Sequence, residues 1–183
     1  MRITGGIFRG RIIYGIPGMA TRPTSDKTRQ AVFNILMNDI EQARVLDLFA
    51  GSGALGIDAI SRGAVSAVFV EANHKPAEMI RRNLKSLGLT ERVIESDYRE
   101  AGKILSEHKT RFDLIFADPP YDLVAPIEVI EMIVQYNLLS PQGILIIEHK
   151  YGRAAETAPG LVRLKQRKFG QTEVSFYAHN ETP

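Results

Sequence analysis

The sequence predicts an α/β fold in which a mostly parallel β-sheet is covered by helices on both faces. Short apolar runs alternate along the chain with segments of helical length. Connections of that length favour parallel strands joined by right-handed crossovers. Two runs near the C-terminus are instead separated by a short turn, which predicts a closing antiparallel hairpin. The 183 residues are enough for a domain with a buried core.

Five apolar runs are predicted to form the parallel part of the sheet, at residues 43–49, 67–71, 92–96, 112–117 and 143–148. The segments between them are predicted to be helices, at residues 54–63, 75–88, 98–108 and 123–137. The second helix carries apolar residues at spacings of three and four, an amphipathic pattern. Residues 161–169 and 172–179, with Gly170 in the turn between them, complete a predicted sheet of seven strands.

The first part of the chain is predicted to extend this sheet domain. Gly5 and Gly6 separate two short strand-like pieces, which indicates a small β-hairpin. A helix is predicted from about residue 26 to about residue 38, because apolar positions recur there at helical spacing. We therefore divide the chain into an N-terminal extension at residues 1–42 and a main domain at residues 43–183.

Composition restricts the classes of protein to which the chain can belong. Apolar residues make up 44% and charged residues 24%, as in ordinary globular domains. No apolar run approaches the roughly 18 residues of a membrane span, and the N-terminus lacks the apolar stretch of a secretory signal. We therefore expect a cytoplasmic protein without membrane association. The absence of cysteine excludes disulfides, thiolate nucleophiles and zinc–cysteine sites.

The net charge of +2 is distributed unevenly along the chain. Residues 1–30 carry a balance of +5 and residues 150–170 another +5, whereas residues 31–149 carry −6. Two basic segments around an acidic centre indicate a polyanionic partner that is bound by the ends of the chain. Solvated surface lysine and arginine would explain the same counts.

A glycine-rich loop, Asp47-Leu-Phe-Ala-Gly-Ser-Gly53, follows the first predicted strand. Glycine allows the backbone to approach a ligand closely. Glu71 ends the second strand, where its carboxylate can accept hydrogen bonds from ribose hydroxyls. Asp97 follows the third strand and can accept from an adenine amino group. These positions are C-terminal ends of strands, where open α/β sheets bind their ligands.

The same loop also satisfies the dinucleotide pattern G-x-G-x-x-G at residues 51–56, so a nicotinamide-dependent oxidoreductase is an alternative. Two features disfavour it. Asp47 precedes the loop where it can meet the ammonium of an amino-acid-like ligand, a group that a dinucleotide lacks. The fourth strand ends in Asp118-Pro-Pro-Tyr121, for which hydride transfer has no evident use.

The tetrapeptide is suited to methylation of an exocyclic amine on a nucleic-acid base. The lone pair of such an amine is delocalised into the ring, so hydrogen-bond acceptors on its hydrogens make the nitrogen a better nucleophile. Asp118 and the Pro119 carbonyl can be those acceptors, and the two prolines stiffen the loop without adding N–H donors. Tyr121 offers a flat ring to an unstacked base. A methyl donor in which the methyl group is bound to a sulfonium sulfur already has a good leaving group. We therefore expect that no metal is needed and that in-line alignment of the donor with the amine supplies the main acceleration.

These motifs together resemble the class I S-adenosylmethionine-dependent methyltransferases, which have a Rossmann-like fold. Six stretches are similar to the RsmD-type small-subunit ribosomal RNA guanine-N2 methyltransferases. They are Arg2-Ile-Thr-Gly-Gly6, Arg9-Gly-Arg11, Arg22-Pro-Thr-Ser-Asp-Lys27, Ala31-Val-Phe-Asn-Ile-Leu36, Leu46-Asp-Leu-Phe-Ala-Gly-Ser-Gly-Ala-Leu-Gly56 and Ser61-Arg-Gly-Ala64. The resemblance spans nearly the whole chain.

The resemblance implies that S-adenosylmethionine is the methyl donor and that a guanine of 16S ribosomal RNA, in a partly assembled small subunit, is the acceptor. It implies cofactor contacts from Asp47, Phe49, Gly51, Gly53, Glu71 and Asp97. Nothing in the sequence indicates an obligate dimer, so we expect a monomer. Asp118, Pro119 and Tyr121 would hold and activate the guanine. With the basic segments, the resemblance predicts phosphate contacts from Arg9, Arg11, Arg22, Arg29, Lys165, Arg167 and Lys168. Residues 1–42 are then expected to be an RNA-binding extension and residues 43–183 the S-adenosylmethionine-dependent methyltransferase domain.

Two other functions remain open from the sequence. A DNA adenine-N6 methyltransferase would use the same tetrapeptide, but such enzymes generally carry an added target-recognition region. The residues before the first predicted strand and after the fifth leave little room for one. A non-catalytic RNA-binding module that has kept the cofactor fold is disfavoured by the intact Asp118-Pro-Pro-Tyr121.

Overall fold

The structure is a computed structural model that describes residues 1–15, 24–155 and 160–180, without the side chains of Thr24 and Ser25. The helices are α1 (Thr24–Ile35), α2 (Ala54–Ser61), α3 (His74–Leu87), α4 (Tyr98–Glu107) and α5 (Pro126–Gln135). The strands are β1 (Arg44–Leu48), β2 (Ser66–Glu71), β3 (Arg92–Glu95), β4 (Phe112–Ala117), β5 (Leu139–Lys150), β6 (Leu161–Phe169) and β7 (Thr172–His179). Within the described residues, no helix is both long and apolar enough to cross a membrane.

The strands form a seven-stranded sheet in the order β3-β2-β1-β4-β5-β7-β6, which confirms the predicted fold class. Strands β1 to β5 are parallel, and β7 pairs antiparallel with both β5 and β6. The chain runs outward from β1 through β2 to β3, then returns to the other side of β1 as β4. The order therefore reverses between β1 and β4, and in open α/β sheets this is where ligands bind.

Each face of the sheet is covered by its own apolar core, because successive side chains of a strand point to opposite faces. On one face, Phe69, Phe116 and Ile146 pack with α1, α2, α3 and residues of the N-terminal segment. The rings of Phe33 in α1 and Phe116 in β4 have centroids 5.6 Å apart. On the other face, β-strand residues such as Ile115 pack with α4 and α5.

The N-terminal segment differs from the predicted hairpin. It holds an isolated antiparallel bridge between Arg2 and Ile12 in place of two regular strands. Its turn includes Gly6 at φ +74°, where a Cβ atom would lie 1.6 Å from the Ser61 carbonyl oxygen of α2. This close approach requires glycine. Ile3 belongs to the same core as the sheet, and the division of the chain at residue 42 stays a prediction.

Several other boundaries differ from the predicted ones, including those of α1, which spans Thr24–Ile35 and not residues 26–38, and those of α5 and β5. Helix α5 begins at Pro126 and not at residue 123, since proline is suited to the first turn of a helix. The Glu128 side chain accepts a hydrogen bond from the Ala125 amide at 2.9 Å and so closes this end. Strand β5 begins at Leu139, four residues earlier than predicted, with a register irregularity opposite Phe112 to Leu114.

Candidate cofactor and substrate cleft

A cleft of about 200 Å³ opens at the carboxyl ends of β1 and β4, where the strand order reverses. One end is lined by Asp47, Phe49 and Gly51, and the other by Asp118 and Glu148. Side chains of α1, together with Met1, complete the wall. The structure thus brings predicted cofactor residues and the first residue of the tetrapeptide to one cavity.

The glycine loop turns sharply from β1 into α2. Phe49, Gly51 and Gly53 all have positive φ values, of +59°, +56° and +79°. Glycine adopts this conformation without strain, whereas it is uncommon for a phenylalanine. Among the described residues other than its two chain neighbours, none has an atom within 4 Å of the position that a Cβ of Gly51 would occupy, so the backbone there is open to a ligand. Gly53 instead faces inward, because a Cβ atom there would lie 3.3 Å from the Ile80 and Phe69 side chains.

Asp47 lies almost completely buried near the end of β1, with 1% of its surface exposed. One of its carboxylate oxygens, Oδ2, accepts a hydrogen bond from the Gly56 amide at 2.9 Å. Burial raises the pKa of Asp47 to about 8, and the negative charges of Asp118 and Glu71 act in the same direction. A cation bound beside it would favour the ionised carboxylate.

Glu71 and Asp97 are both engaged with the protein backbone. Glu71, 8% exposed, accepts hydrogen bonds from the Gly51 amide at 3.0 Å and from the Asn73 amide at 2.9 Å. Asp97 is exposed and caps α4 by accepting from the Arg99 amide at 2.9 Å. Neither residue lines the cleft itself. Their contacts to ribose and to adenine stay predictions.

The tetrapeptide follows β4 and lies at the start of a turn that backbone hydrogen bonds stabilise. The Pro120 carbonyl accepts hydrogen bonds from the Leu123 and Val124 amides at 2.9 and 3.1 Å. Asp118 is exposed and Pro119 is buried. The Tyr121 hydroxyl donates a 2.8 Å hydrogen bond to Oε1 of Glu148 in β5. The loop is therefore tied to the neighbouring strand through the tyrosine.

Two residues of the site, Glu148 and Asn83, were not predicted from the sequence. Glu148 is an acidic residue at the end of a predicted core strand, the same signal that identified Glu71. Asn83, on α3 and 1% exposed, donates from Nδ2 to the Ser52 carbonyl of the glycine loop at 3.0 Å. Asn83 could have been identified as a polar residue on the inner face of an amphipathic helix.

Most of the residues predicted to contact RNA lie at the surface, and Arg22 falls outside the described residues. Arg9 and Arg11 are exposed in the N-terminal segment, where Arg11 donates to the Ser86 carbonyl at 2.8 Å. On the edge strand β6, Lys165 is half-buried, and Arg167 and Lys168 are exposed. Their roles in binding stay predictions.

Arg29 requires a correction. Its side chain is 4% exposed, and its Nε lies 2.6 Å from Oδ2 of Asp58, a fully buried carboxylate of α2. Its Nη2 also donates to the Arg2 carbonyl. The guanidinium of Arg29 is thus occupied within the protein, and we replace its predicted phosphate contact by a structural ion pair that joins α1, α2 and the N-terminal segment.

Comparison with known proteins places this site in a family. The model of the family described as conserved hypothetical protein 95 matches residues 1–178. Ribosomal RNA small subunit methyltransferase D of Escherichia coli is 32% identical over 97% of this chain and 89% of its own length. The protein of the same name from Haemophilus influenzae is 30% identical over 97% of this chain and 93% of its own length.

Solved structures show the same fold. The yhhF protein of Escherichia coli superposes with a TM-score of 0.87 at 30% identity, over 100% of this chain and 99% of that one. SMU.776, solved in complex with SAH, has a TM-score of 0.66 at 15% identity, over 84% of this chain and 49% of that one. That likeness concerns the fold alone. The family match and the whole-length relatives show that the chain belongs to the conserved hypothetical protein 95 family, the RsmD-type methyltransferases that its motifs resemble.

Proposed function

We propose that this protein transfers the methyl group of S-adenosylmethionine to the exocyclic N2 of a guanine in 16S ribosomal RNA. The observation that carries the proposal is that the glycine loop and Asp118 line the same cleft. The names of the whole-length relatives, ribosomal RNA small subunit methyltransferase D, support the class of substrate.

The residues at the β1 end of the cleft are suited to this cofactor. Asp47 offers a buried carboxylate to an ammonium group, and the open backbone at Gly51 leaves room beside it. Phe49 lines the same wall. When bound, S-adenosylmethionine supplies a methyl carbon on a sulfonium sulfur, so that the C–S bond breaks with its electron pair staying on sulfur as the N–C bond forms.

At the β4 end, residues of the chain would hold the guanine amine. The Asp118 carboxylate would accept a hydrogen bond from one N2 hydrogen and take the proton that the nitrogen gives up. The Pro119 carbonyl would accept from the other hydrogen. The Tyr121 ring, held by its hydroxyl on Glu148, would stack on the base. These groups would orient the nitrogen for attack, and the two acceptors would stabilise the positive charge that develops on it during the transfer.

The exposed basic residues of the N-terminal segment and of β6 would contact RNA phosphates around the cleft. We further propose a partly assembled small subunit as the substrate and a monomeric enzyme in the cytoplasm. The preference for a partly assembled subunit is testable by comparing methyl transfer to free 16S RNA, to partly assembled subunits and to mature subunits.

The central test is transfer of tritiated methyl groups to small subunits from cells that lack this protein, followed by digestion to nucleosides. We expect N2-methylguanosine as the product. Asp118→Asn should lower kcat by about 100-fold or more, the scale of a lost acid–base group, with cofactor affinity within about threefold. Asp122→Asn, an exposed carboxylate of the same loop, is the matched control and should retain activity. N6-methyladenosine as the product, or full activity of Asp118→Asn, would refute the proposal.

A further inference from the structure

Glu148 lies beside Asp118 at the same end of the cleft. In the parallel pairing of β4 with β5, Phe116 pairs with Ile146 and Ala117 with Ile147. Asp118 and Glu148 are the next residues of these neighbouring chains, which run about 4.8 Å apart. Both residues line the cleft. The cleft therefore presents two carboxylates side by side.

Glu148 is bonded to the protein through one of its two carboxylate oxygens. Oε1 accepts the hydrogen bond from the Tyr121 hydroxyl at 2.8 Å. Within the described part of the chain, Oε2 accepts no hydrogen bond and no basic side chain forms an ion pair with this carboxylate. A half-buried carboxylate in this position can accept a further donor, and it offers no donor of its own.

We propose that Glu148 determines the specificity for guanine by accepting the N1–H of the base while Asp118 accepts from N2. This inference rests on the proposed function, and it deepens it. Guanine carries two adjacent donors, N1–H and the N2 amine, along its Watson–Crick edge. Two adjacent carboxylates match that pattern. In adenine the ring nitrogen next to the amine is an acceptor, so its lone pair would face the Glu148 carboxylate without a proton between them.

A different role for Glu148 is to orient the Tyr121 ring and touch no substrate. The two roles differ in how they depend on N1–H. The base analogue 2-aminopurine keeps the reacting 2-amino group but has no hydrogen on N1. If Glu148 reads N1–H, its removal harms guanine much more than 2-aminopurine. If it only orients Tyr121, both substrates suffer equally.

The experiment uses small subunits reassembled with 16S RNA that carries guanine or 2-aminopurine at the methylated position, with kcat/KM measured for each. For the unmodified enzyme we expect guanine to be preferred by about 10-fold to 100-fold, the scale of a hydrogen bond to a charged group. Glu148→Met, similar in length but with only a weak acceptor, should reduce that preference to less than about threefold. Glu148→Gln, which keeps a neutral acceptor, should give an intermediate preference.

Tyr121→Phe is the matched control, because it removes the hydroxyl and keeps the carboxylate. It should lower kcat/KM for both bases and leave the preference within about twofold of the unmodified enzyme. The preference is a ratio measured on one preparation, so partial loss of folded enzyme does not alter it. An unchanged preference in Glu148→Met, or no preference in the unmodified enzyme, overturns the role of Glu148 while N2-methylguanosine formation still supports the proposed function. Failure to methylate guanine at all would overturn both.

Discussion

The two ends of the cleft are built differently. At the β1 end, the buried Asp47 accepts from Gly56, Glu71 accepts from Gly51, and Asn83 donates to the Ser52 carbonyl. At the β4 end, Asp118 is exposed and Glu148 is bonded to Tyr121 through one oxygen. The β1 end, where we propose that the cofactor binds, is therefore held by the protein itself, whereas the β4 end presents carboxylates to the cleft. Variants that disturb the first end should affect folding and cofactor affinity, and those at the second end should affect turnover and base choice.

The largest effect on stability is expected from Asp58→Ala, in the helix that follows the glycine loop. Asp58 is fully buried on α2 and accepts hydrogen bonds from Arg29 Nε at 2.6 Å and from the Thr4 amide at 3.0 Å. Its removal leaves the buried Arg29 guanidinium with a single, half-exposed carboxylate partner, Asp26, whose Oδ1 lies 3.1 Å from Nη2. We expect the free energy of unfolding, measured with urea, to fall by about 3–5 kcal/mol.

The control for this prediction is Asp113→Ala, which breaks an ion pair at the surface. Arg44 and Asp113 are 49% and 37% exposed, and Arg44 Nε lies 3.1 Å from Asp113 Oδ2. Their pair lowers the pKa of Asp113 to about 2, but water screens it, so we expect a loss of less than about 1 kcal/mol. Equal losses in the two variants would contradict the structural role of Asp58.

The same ion pair shows where prediction from sequence ends. Apolar periodicity predicted the strands and helices, and the acidic residues at strand ends followed from the rule that parallel strands finish at one edge. The partner of Arg29 did not follow, because Asp58 is distant in sequence and only tertiary packing brings the two together. The neighbouring residues in the sequence do not show whether an arginine of a helix is buried or exposed. Charge counting therefore grouped Arg29 with the residues predicted to contact RNA.

Glu148 illustrates the same limit in the sheet. Its position at the end of a strand could be read from the sequence, but its place beside Asp118 depends on β5 pairing with β4. Strand order is set by long-range contacts that local patterns do not encode. The tetrapeptide was more informative, because the restricted backbone of proline and the flat ring of tyrosine do not depend on the surrounding residues.

The next largest effect concerns Asp47 and pH. Its folded-state pKa of about 8 is above its ordinary value, so folding favours the protonated form. Its contribution to the stability of the unliganded protein should thus be greatest at low pH and decline as the pH rises from about 4 to about 8. Binding of an ammonium group favours the ionised form, so cofactor affinity should increase by up to about tenfold between about pH 6 and pH 7.

Calorimetric titration with S-adenosylmethionine in buffers of different ionisation enthalpy would measure the proton that this binding releases. Asp47→Asn should bind more weakly and lose both the pH dependence and the proton release, because an amide does not titrate. A proton release that persists in Asp47→Asn would assign it to another group and leave Asp47 without the proposed role.

A smaller effect is expected from Asn83→Ala, which tests how the glycine loop is held. The Asn83 side chain accepts from the Tyr14 amide and donates to the Tyr14 and Ser52 carbonyls, each at 3.0 Å. Its loss leaves these groups without a partner and should cost about 1–3 kcal/mol in unfolding free energy. Cofactor affinity should fall several-fold with kcat changed less. Ser86→Ala, on the exposed side of the same helix, is the control; unaltered cofactor affinity in Asn83→Ala would show that the loop is held without it.

The smallest effect per substituted residue is expected for the exposed arginines of the N-terminal segment, which would contact RNA phosphates. Replacing Arg9 and Arg11 with alanine should lower the slope of log affinity for small subunits against log salt by about one to two, roughly one unit for each phosphate that the variant no longer neutralises. Lys103 and Lys109, exposed near α4 on the opposite side of the sheet, give a charge-matched control pair. A slope that changes equally in both double variants would reflect net charge alone and would remove Arg9 and Arg11 from the RNA-binding surface.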